Sequence, residues 1–204
     1  MKYYYHGSFT QHLTLLEPFG KRDNTVKKPV VYLTPNPYLS LFYIWNRPYK
    51  FVTFEEDKMG KVFYTEWFEN QLYDFYHQVS GSVYVCNADT PSIHLSHIKG
   101  VYISDTAVEV EKEFPVDNVY AHILEQAEKG NIFIKKHDEL SDDERRTIQT
   151  NVIRSIHMQH LLSDHNSEYA AFIRKHFPFE WQEAIQMDEE QIKAMINEWK
   201  NSLK

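Results

Sequence analysis

The sequence predicts an α+β fold, with small split β-sheets, helices packed beside them and a C-terminal helical extension. Before about residue 140, short runs rich in β-branched and aromatic residues alternate with turn signals. After residue 140, apolar residues recur at helical spacing behind N-capping residues. We therefore predict a mixed domain over residues 1–140 and a helical extension over residues 141–204.

Composition and charge restrict the function classes. The chain has 204 residues, enough to bury a core, and its aromatic content of 15% suits both a core and planar ligands. Its formal net charge of −7 disfavours a nucleic-acid partner, because a polyanion would be repelled. The single cysteine, Cys86, lies in an apolar run and predicts a buried, inert thiol in a reducing compartment.

No feature of the sequence predicts a membrane protein. No apolar run approaches the roughly 18 residues that span a bilayer, and no charged-then-apolar leader opens the sequence. We expect a cytoplasmic protein with no membrane partner.

The N-terminal segment contains the first chemically suggestive pattern. Residues 2–6 predict a strand that ends in His6, Gly7 and Ser8, where a glycine lets backbone come close to a ligand. The polar stretch 21–28 predicts a solvated loop.

A strand, a turn and a helix follow this loop. The β-rich run 30–33 predicts a short buried strand, stopped by Pro35. Pro37 suits the first turn of a helix, which we predict to run to about Trp45 with aromatic residues on its packed face.

Five elements are predicted in the middle of the chain. They are a strand over 49–54, a helix over 61–78, a central strand over 82–86 and a pair of strands over 101–103 and 107–111. Strict alternation in the last of these would place Glu109 and Glu111 on one face and Val108 and Val110 on the other.

The remaining segments predict helices and one short strand. A helix over about 119–129 begins at a cap supplied by Asp117 or Asn118, and residues 132–134 predict a strand. Ser141 and Glu144 form a capping-box pattern that opens a long helix. Two further helices are predicted, one ending at Pro178 and one beginning at Asp188.

Two short motifs resemble those of the diphtheria-toxin-like ADP-ribosyltransferase fold family. The first is His6, Gly7 and Ser8 after the first strand, and the second is Tyr32, Leu33 and Thr34 in the following strand. Tyr43 then stands in the aromatic position of the next helix, and the glycine-led strand at Gly81 resembles that of the smaller bacterial, rifampin-modifying members. The resemblance covers residues 3 to about 134 and implies split sheets of the ADP-ribosyltransferase type.

The resemblance implies NAD as a substrate and transfer of ADP-ribose to an unknown small molecule or macromolecule. His6 would orient the adenosine-side ribose, and Gly7 and Ser8 would contact the nicotinamide amide or its ribose. Tyr32 and Tyr43 would sandwich nicotinamide. Thr34 completes the expected NAD-binding set.

The catalytic carboxylate departs from the family pattern. Family members commonly have an acid where the third-motif strand begins, but residues 99–102 contain none. Glu109 is the first substitute, as the group that stabilises the ribosyl cation, and Asp89 is the second. If neither faces the cleft, the alternative is a catalytically inactive protein that binds NAD or a partner.

Other readings have less support in the sequence. RNA 2′-phosphotransferases share the fold but use several arginines for phosphate, whereas only Arg22 and Arg47 precede residue 140. An antitoxin-like or phage-linked scaffold, with the C-terminal helices contacting a protein partner, is a third possibility. His157, His160 and His165 cluster without a cysteine or a firmly placed carboxylate, so we predict a solvated helix face and no metal site.

Overall fold

The chain divides into two compact units, each assembled from separate segments. The computed structural model describes residues 3–19, 28–87, 93–95 and 100–202. The first unit comprises residues 1–46, 52–66 and 70–136, and the second comprises residues 47–51, 67–69 and 137–204.

The first unit contains the sheets. Its strands are β1 (Tyr3–Ser8), β2 (Leu15–Leu16), β3 (Val31–Leu33), β4 (Phe54–Glu56), β5 (Val62–Thr65), β6 (Gly81–Asn87), β7 (Ile93–Leu95), β8 (Tyr102–Ser104), β9 (Val108–Val116) and β10 (Ile132–Lys135). Its helices are α1 (Pro37–Leu41), α2 (Gln71–Tyr76) and α3 (Val119–Glu128). The strands form three small sheets, in the orders β1-β6-β9-β2, β10-β5-β4 and β3-β8-β7. The predicted α+β class with small separate sheets is confirmed.

Strand β6 is the centre of the largest sheet, because it pairs antiparallel with both β1 and β9. Its residues from Gly81 to Cys86 are all buried, which matches the apolar run in the sequence. Tyr84 and Cys86 pack with Tyr4 and Val108 in the core of this sheet. Cys86 has no exposed surface, and burial raises the pKa of its thiol to about 12, so the prediction of a buried thiol is confirmed.

The pairing of β6 with β9 contains a bulge that changes which residues share a face. Val85 pairs with Lys112, whereas the next residue, Cys86, pairs with Val110, so Glu111 is the extra residue. A single inserted residue reverses the alternation of side chains beyond it. Glu113 is therefore the partner of Tyr84, which strict alternation along β9 did not predict.

Three predicted elements have different bounds in the structure. The helix expected over 61–78 is wrong in its first half, because Val62–Thr65 forms β5 and pairs parallel with β10. Its β-branched and aromatic residues favour the strand. Helix α1 ends at Leu41, so Tyr43 lies in the turn after the helix. The strand expected over 49–54 is wrong for residues 49–53, which are irregular, because β4 begins at Phe54.

The second unit is helical among its described residues. It contains a 3-10 turn (His137–Glu139), α4 (Asp142–Met158), α5 (Glu168–His176), α6 (Pro178–Gln186) and α7 (Glu189–Ser202). Two segments from earlier in the chain supply aromatic rings to its core: Phe51 packs on Phe172 and Phe177, and Phe68 packs on the same two rings.

The predicted helix starts in this unit are confirmed. Ser141 Oγ accepts the Glu144 N–H, and the Glu144 side chain accepts the Ser141 N–H, which is a complete capping box. Asp188 and Gln191 make the same reciprocal bonds before α7. Pro178 follows the end of α5 as predicted, but it also starts α6, which the sequence analysis missed.

Among the described residues, no helix combines the length and the apolar character needed to cross a bilayer.

Candidate functional site

A cavity of about 480 Å³ in the first unit contains most of the predicted site residues. His6, Gly7, Ser8, Tyr32 and Tyr43 all line it. Cavities of roughly 300–1,000 Å³ commonly hold small molecules and cofactors. The two short motifs, about 25 residues apart in sequence, therefore lie on one cavity.

The first and third strands meet beside this cavity. The Tyr5 N–H donates to the Thr34 carbonyl at 2.7 Å, and the Thr34 N–H donates back to the Tyr5 carbonyl at 3.0 Å. His6 strengthens the junction, since its Nδ1–H donates to the Tyr32 carbonyl at 2.8 Å. Because a carbonyl can only accept, this bond sets the tautomer and makes Nε2 the acceptor nitrogen of the neutral ring.

Gly7 lines the cavity, but its lack of a side chain serves the packing of α1. A Cβ atom built on Gly7 would lie 2.0 Å from the carbonyl oxygen of Ser40, within α1. The close backbone approach predicted here is therefore an approach of helix to strand. Ser8, the next residue, accepts the Thr10 N–H at 3.1 Å through its hydroxyl and starts the loop that forms one wall of the cavity.

The two predicted nicotinamide-binding tyrosines are held in different ways. The half-buried side chain of Tyr32 packs against Val30, Val101 and Ile103. The Tyr43 ring meets Phe54 edge to face, with centroids 5.4 Å apart. Burial, with a smaller contribution from the charge of nearby Glu56, raises the pKa of Tyr43 to about 12, so its phenol stays protonated at neutral pH and can donate a hydrogen bond.

Thr34 is not among the residues that line the cavity. Its side chain is buried, and its hydroxyl accepts the Asn36 N–H at 3.1 Å. Asn36 then caps α1 by accepting the N–H groups of Tyr38 and Leu39. Thr34 thus organises the turn between β3 and α1, and the structure does not bring it to the predicted ligand position.

Glu109, the first predicted catalytic acid, does not line the cavity either. It is exposed and pairs with Leu15, while its neighbour Val108 faces the core. Asp89, the second predicted acid, lies outside the described residues. Glu17, just after β2, is the one carboxylate among the described residues that line the cavity, and it is exposed.

A second carboxylate, Glu113, lies behind the loop that forms the cavity wall. Its Oε1 accepts the Ser82 hydroxyl at 2.6 Å and the His12 N–H at 2.9 Å, and it lies 3.3 Å from the hydroxyl oxygen of Tyr84. These bonds, the one from the His12 backbone first, hold the pKa of Glu113 below its ordinary value. The sheet register places His6, Tyr84 and Glu113 in one row across β1, β6 and β9.

Among the cavity residues that sequence reasoning missed, three have side chains suited to hold a ligand. Trp45, His12 and Glu17 line the cavity, although none belongs to either motif. Trp45 was expected only as a packing residue, and its ring meets Phe75 at 5.0 Å. His12 and Glu17 stand in the segment after Ser8, where no periodicity or motif marks them; their proximity in sequence to residues 6–8 is the only available signal.

No known protein family, curated protein or solved structure matches this chain.

Neither a metal site nor the cavity of the second unit offers a comparable candidate among the described residues. The described residues contain no group of three or more His, Cys, Asp or Glu side chains placed to hold a metal ion. An open cavity of about 890 Å³ in the second unit contains none of the predicted site residues, and its Arg145 donates to the backbone carbonyls of His137 and Leu140.

Proposed function

We propose that this protein binds NAD in the cavity of the first unit and transfers ADP-ribose from it to an acceptor in the cytoplasm. The observation that carries the proposal is that His6 and Tyr32, from two neighbouring strands, line the same cavity together with Tyr43. His6 and Tyr32 belong to the two short motifs that resemble those of the ADP-ribosyltransferase family. We also propose that the small sheets of the first unit form the split-sheet arrangement of that family.

The roles of the aromatic and imidazole groups follow from their environments. Nε2 of His6 accepts a hydrogen bond from a ribose hydroxyl, because Nδ1 is bonded to the Tyr32 carbonyl. Tyr32 and Tyr43 offer faces for the planar nicotinamide ring. The protonated phenol of Tyr43 is a donor for the carboxamide oxygen.

We assign the stabilisation of the ribosyl cation to Glu17 instead of Glu109. Cleavage of the nicotinamide–ribose bond develops positive charge on the ribose, and a carboxylate near that charge lowers the barrier. Glu17 lines the cavity and Glu109 does not. Glu17 therefore replaces Glu109 in the proposed site.

NAD binding tests the first half of the proposal. We expect His6→Ala to weaken NAD binding at least tenfold in calorimetry, because the acceptor nitrogen is lost, and Tyr43→Phe to weaken it less. His122→Ala, on the exposed face of α3, is the matched control and should leave the dissociation constant unchanged. Equal affinities of the His6→Ala and wild-type proteins, with both shown folded by circular dichroism, would contradict NAD binding at this cavity.

Release of nicotinamide tests the second half. We expect the wild-type protein to release nicotinamide from NAD with water as acceptor, and Glu17→Gln to slow the release by about 100-fold, since removal of one electrostatic group often costs that much. Glu109→Gln makes the same charge change outside the cavity and should have the wild-type rate. Equal rates for Glu17→Gln and Glu109→Gln would remove Glu17 from the mechanism.

A second candidate function is NAD binding without transfer, in a protein that regulates a partner. The exposure of Glu17 and the position of Glu109 favour it, since neither carboxylate is buried against the cavity. Binding that depends on His6, with no release of nicotinamide by the wild-type protein, would support this candidate over transfer.

A further inference from the structure

The loop after β1 holds a histidine in an unusual conformation at the cavity wall. His12 has a φ of 62°, in the left-handed region that residues with side chains rarely adopt. Such backbone conformations persist only where the surroundings enforce them, and they cluster at functional sites. His12 lines the cavity and its side chain is 84% exposed, so a ligand can reach its ring.

One carboxylate binds the backbone of His12 and lies close to its side chain. Oε1 of Glu113 accepts the His12 N–H at 2.9 Å, and Oε2 of Glu113 lies 3.6 Å from His12 Nδ1. The loop is fixed at a second point, because the Leu13 N–H donates to the Tyr84 hydroxyl at 3.3 Å and that hydroxyl donates to the Thr10 carbonyl at 2.8 Å. The backbone of His12 is thus fixed by the sheet, and its imidazole lies within ion-pair distance of Glu113.

Glu113 is itself held firmly. The Ser82 hydroxyl donates to it at 2.6 Å, and its side chain is only 20% exposed. Its low pKa keeps it ionised at neutral pH. An ionised carboxylate facing Nδ1 favours the tautomer with the proton on Nδ1 and leaves Nε2 as the basic nitrogen.

We propose that His12 is the general base that takes the proton from a hydroxyl acceptor of ADP-ribose, and that Glu113 is the positioning residue that orients its imidazole. This inference rests on the proposed function. A histidine oriented by a carboxylate, beside a cavity, is an arrangement that activates a nucleophile bearing a hydroxyl.

In the step, the bond between C1′ of the ribose and the nicotinamide nitrogen breaks, and its electron pair leaves with neutral nicotinamide. The acceptor oxygen forms the new bond to C1′ while Nε2 of His12 takes its proton. The imidazolium is stabilised by Glu113 and then releases the proton to solvent. Atoms and charge balance with NAD and the acceptor as the only reactants.

The inference restricts the acceptor class. A base contributes only when the acceptor must lose a proton, so it favours an alcohol, a phenol or water over an acceptor that is already a thiolate or a carboxylate. Glu17 then stabilises the ribose cation, and His12 takes the proton from the acceptor. Both residues lie in the same short segment of the cavity wall.

The test uses the full-length protein, with water and methanol as acceptors, and measures nicotinamide release, methyl ADP-ribose formation and NAD affinity. We expect His12→Ala to lower both rates by roughly 100-fold, the usual contribution of a general base, with an unchanged NAD dissociation constant. Added imidazole should restore the rates in His12→Ala, because the exposed position leaves room for it. Glu113→Gln should lower the rates about tenfold without rescue, and His122→Ala should match the wild type.

The outcomes separate the two proposals. Wild-type rates in His12→Ala, or a slow His12→Ala protein that imidazole does not restore, would overturn the role of His12 and leave the proposed function intact. A folded wild-type protein that binds no NAD, or binds it without releasing nicotinamide, would overturn the transferase proposal and this inference with it.

Discussion

At the scale of single residues, two glycines allow backbone segments of the first unit to pack closely beside the cavity. A Cβ atom on Gly7 would lie 2.0 Å from the Ser40 carbonyl oxygen, and one on Gly81 would lie 2.3 Å from the Ser8 carbonyl oxygen. Real Cβ atoms do not approach backbone so closely, and backbone cannot rotate away as a flexible side chain can. The glycine of the His-Gly-Ser motif is therefore explained by packing, independently of any ligand.

Replacing Gly7 by Ala tests this explanation. We expect the change to lower the free energy of unfolding by about 3 kcal/mol, the upper part of the usual range for overpacking, because strand β1 or helix α1 must shift. Urea denaturation measures the effect, and Ser8→Ala, one residue away and half-buried, is the control. A loss below about 1 kcal/mol for Gly7→Ala would mean that the helix moves away easily.

At the scale of elements, the structure separates signals that are local from those that depend on pairing. The capping boxes at Ser141 and Asp188 were readable from sequence because cap and partner lie three residues apart. The bulge in β9 was not, because it exists only relative to β6. Without the bulge, the register in which Cys86 pairs with Val110 would continue and place Lys112 beside Tyr84. With it, Glu113 is beside Tyr84.

The cap of α4 provides the test at this scale. We expect Ser141→Ala to lower the free energy of unfolding by about 1 kcal/mol, since the Glu144 N–H loses its acceptor. Ser141→Thr retains a capping hydroxyl and should cost much less. Urea denaturation followed by circular dichroism would compare the two, and equal losses would show that the hydroxyl is not what stabilises this helix start.

At the scale of the whole molecule, the second unit is not the simple extension over 141–204 that the composition suggested. Residues 47–51 and 67–69 also belong to it, so the chain passes between the units several times. Phe51 and Phe68 pack against Phe172 and Phe177, which lie more than 100 residues further along. Apolar patterning identifies such rings as buried but does not identify their partners.

A truncated protein tests this organisation. We expect a fragment of residues 1–140 to aggregate or to unfold at a lower temperature than the full chain, because Phe51 and Phe68 lose the rings that cover them. Size-exclusion chromatography and thermal melts measure this. A fragment in which both phenylalanines are replaced by Ser is the control and should be more soluble. A monomeric 1–140 fragment as stable as the full chain would contradict the assignment of these segments.

Part of the candidate site was predictable. His6 and Tyr32 stand in short motifs at strand ends, and their order along the chain was enough to expect them on one cavity. His12, Glu17 and Trp45 carry no local signal, because a loop's path depends on what it packs against. Thr34 was expected at the site because of its motif, but its hydroxyl instead stabilises the turn before α1. Glu109 was expected because of its strand position, but it is exposed where β9 pairs with Leu15 of β2.

The sequence alone determined the α+β class, the central apolar strand, the helix caps and the buried thiol of Cys86, because each depends on composition or on spacing over a few residues. Only the tertiary structure decided that β1 meets β3, that a bulge turns Glu113 toward Tyr84, and that His12 is held against it. Strand pairing and bulges are set by contacts between distant segments, and the free energy of those contacts is not a property of any one segment.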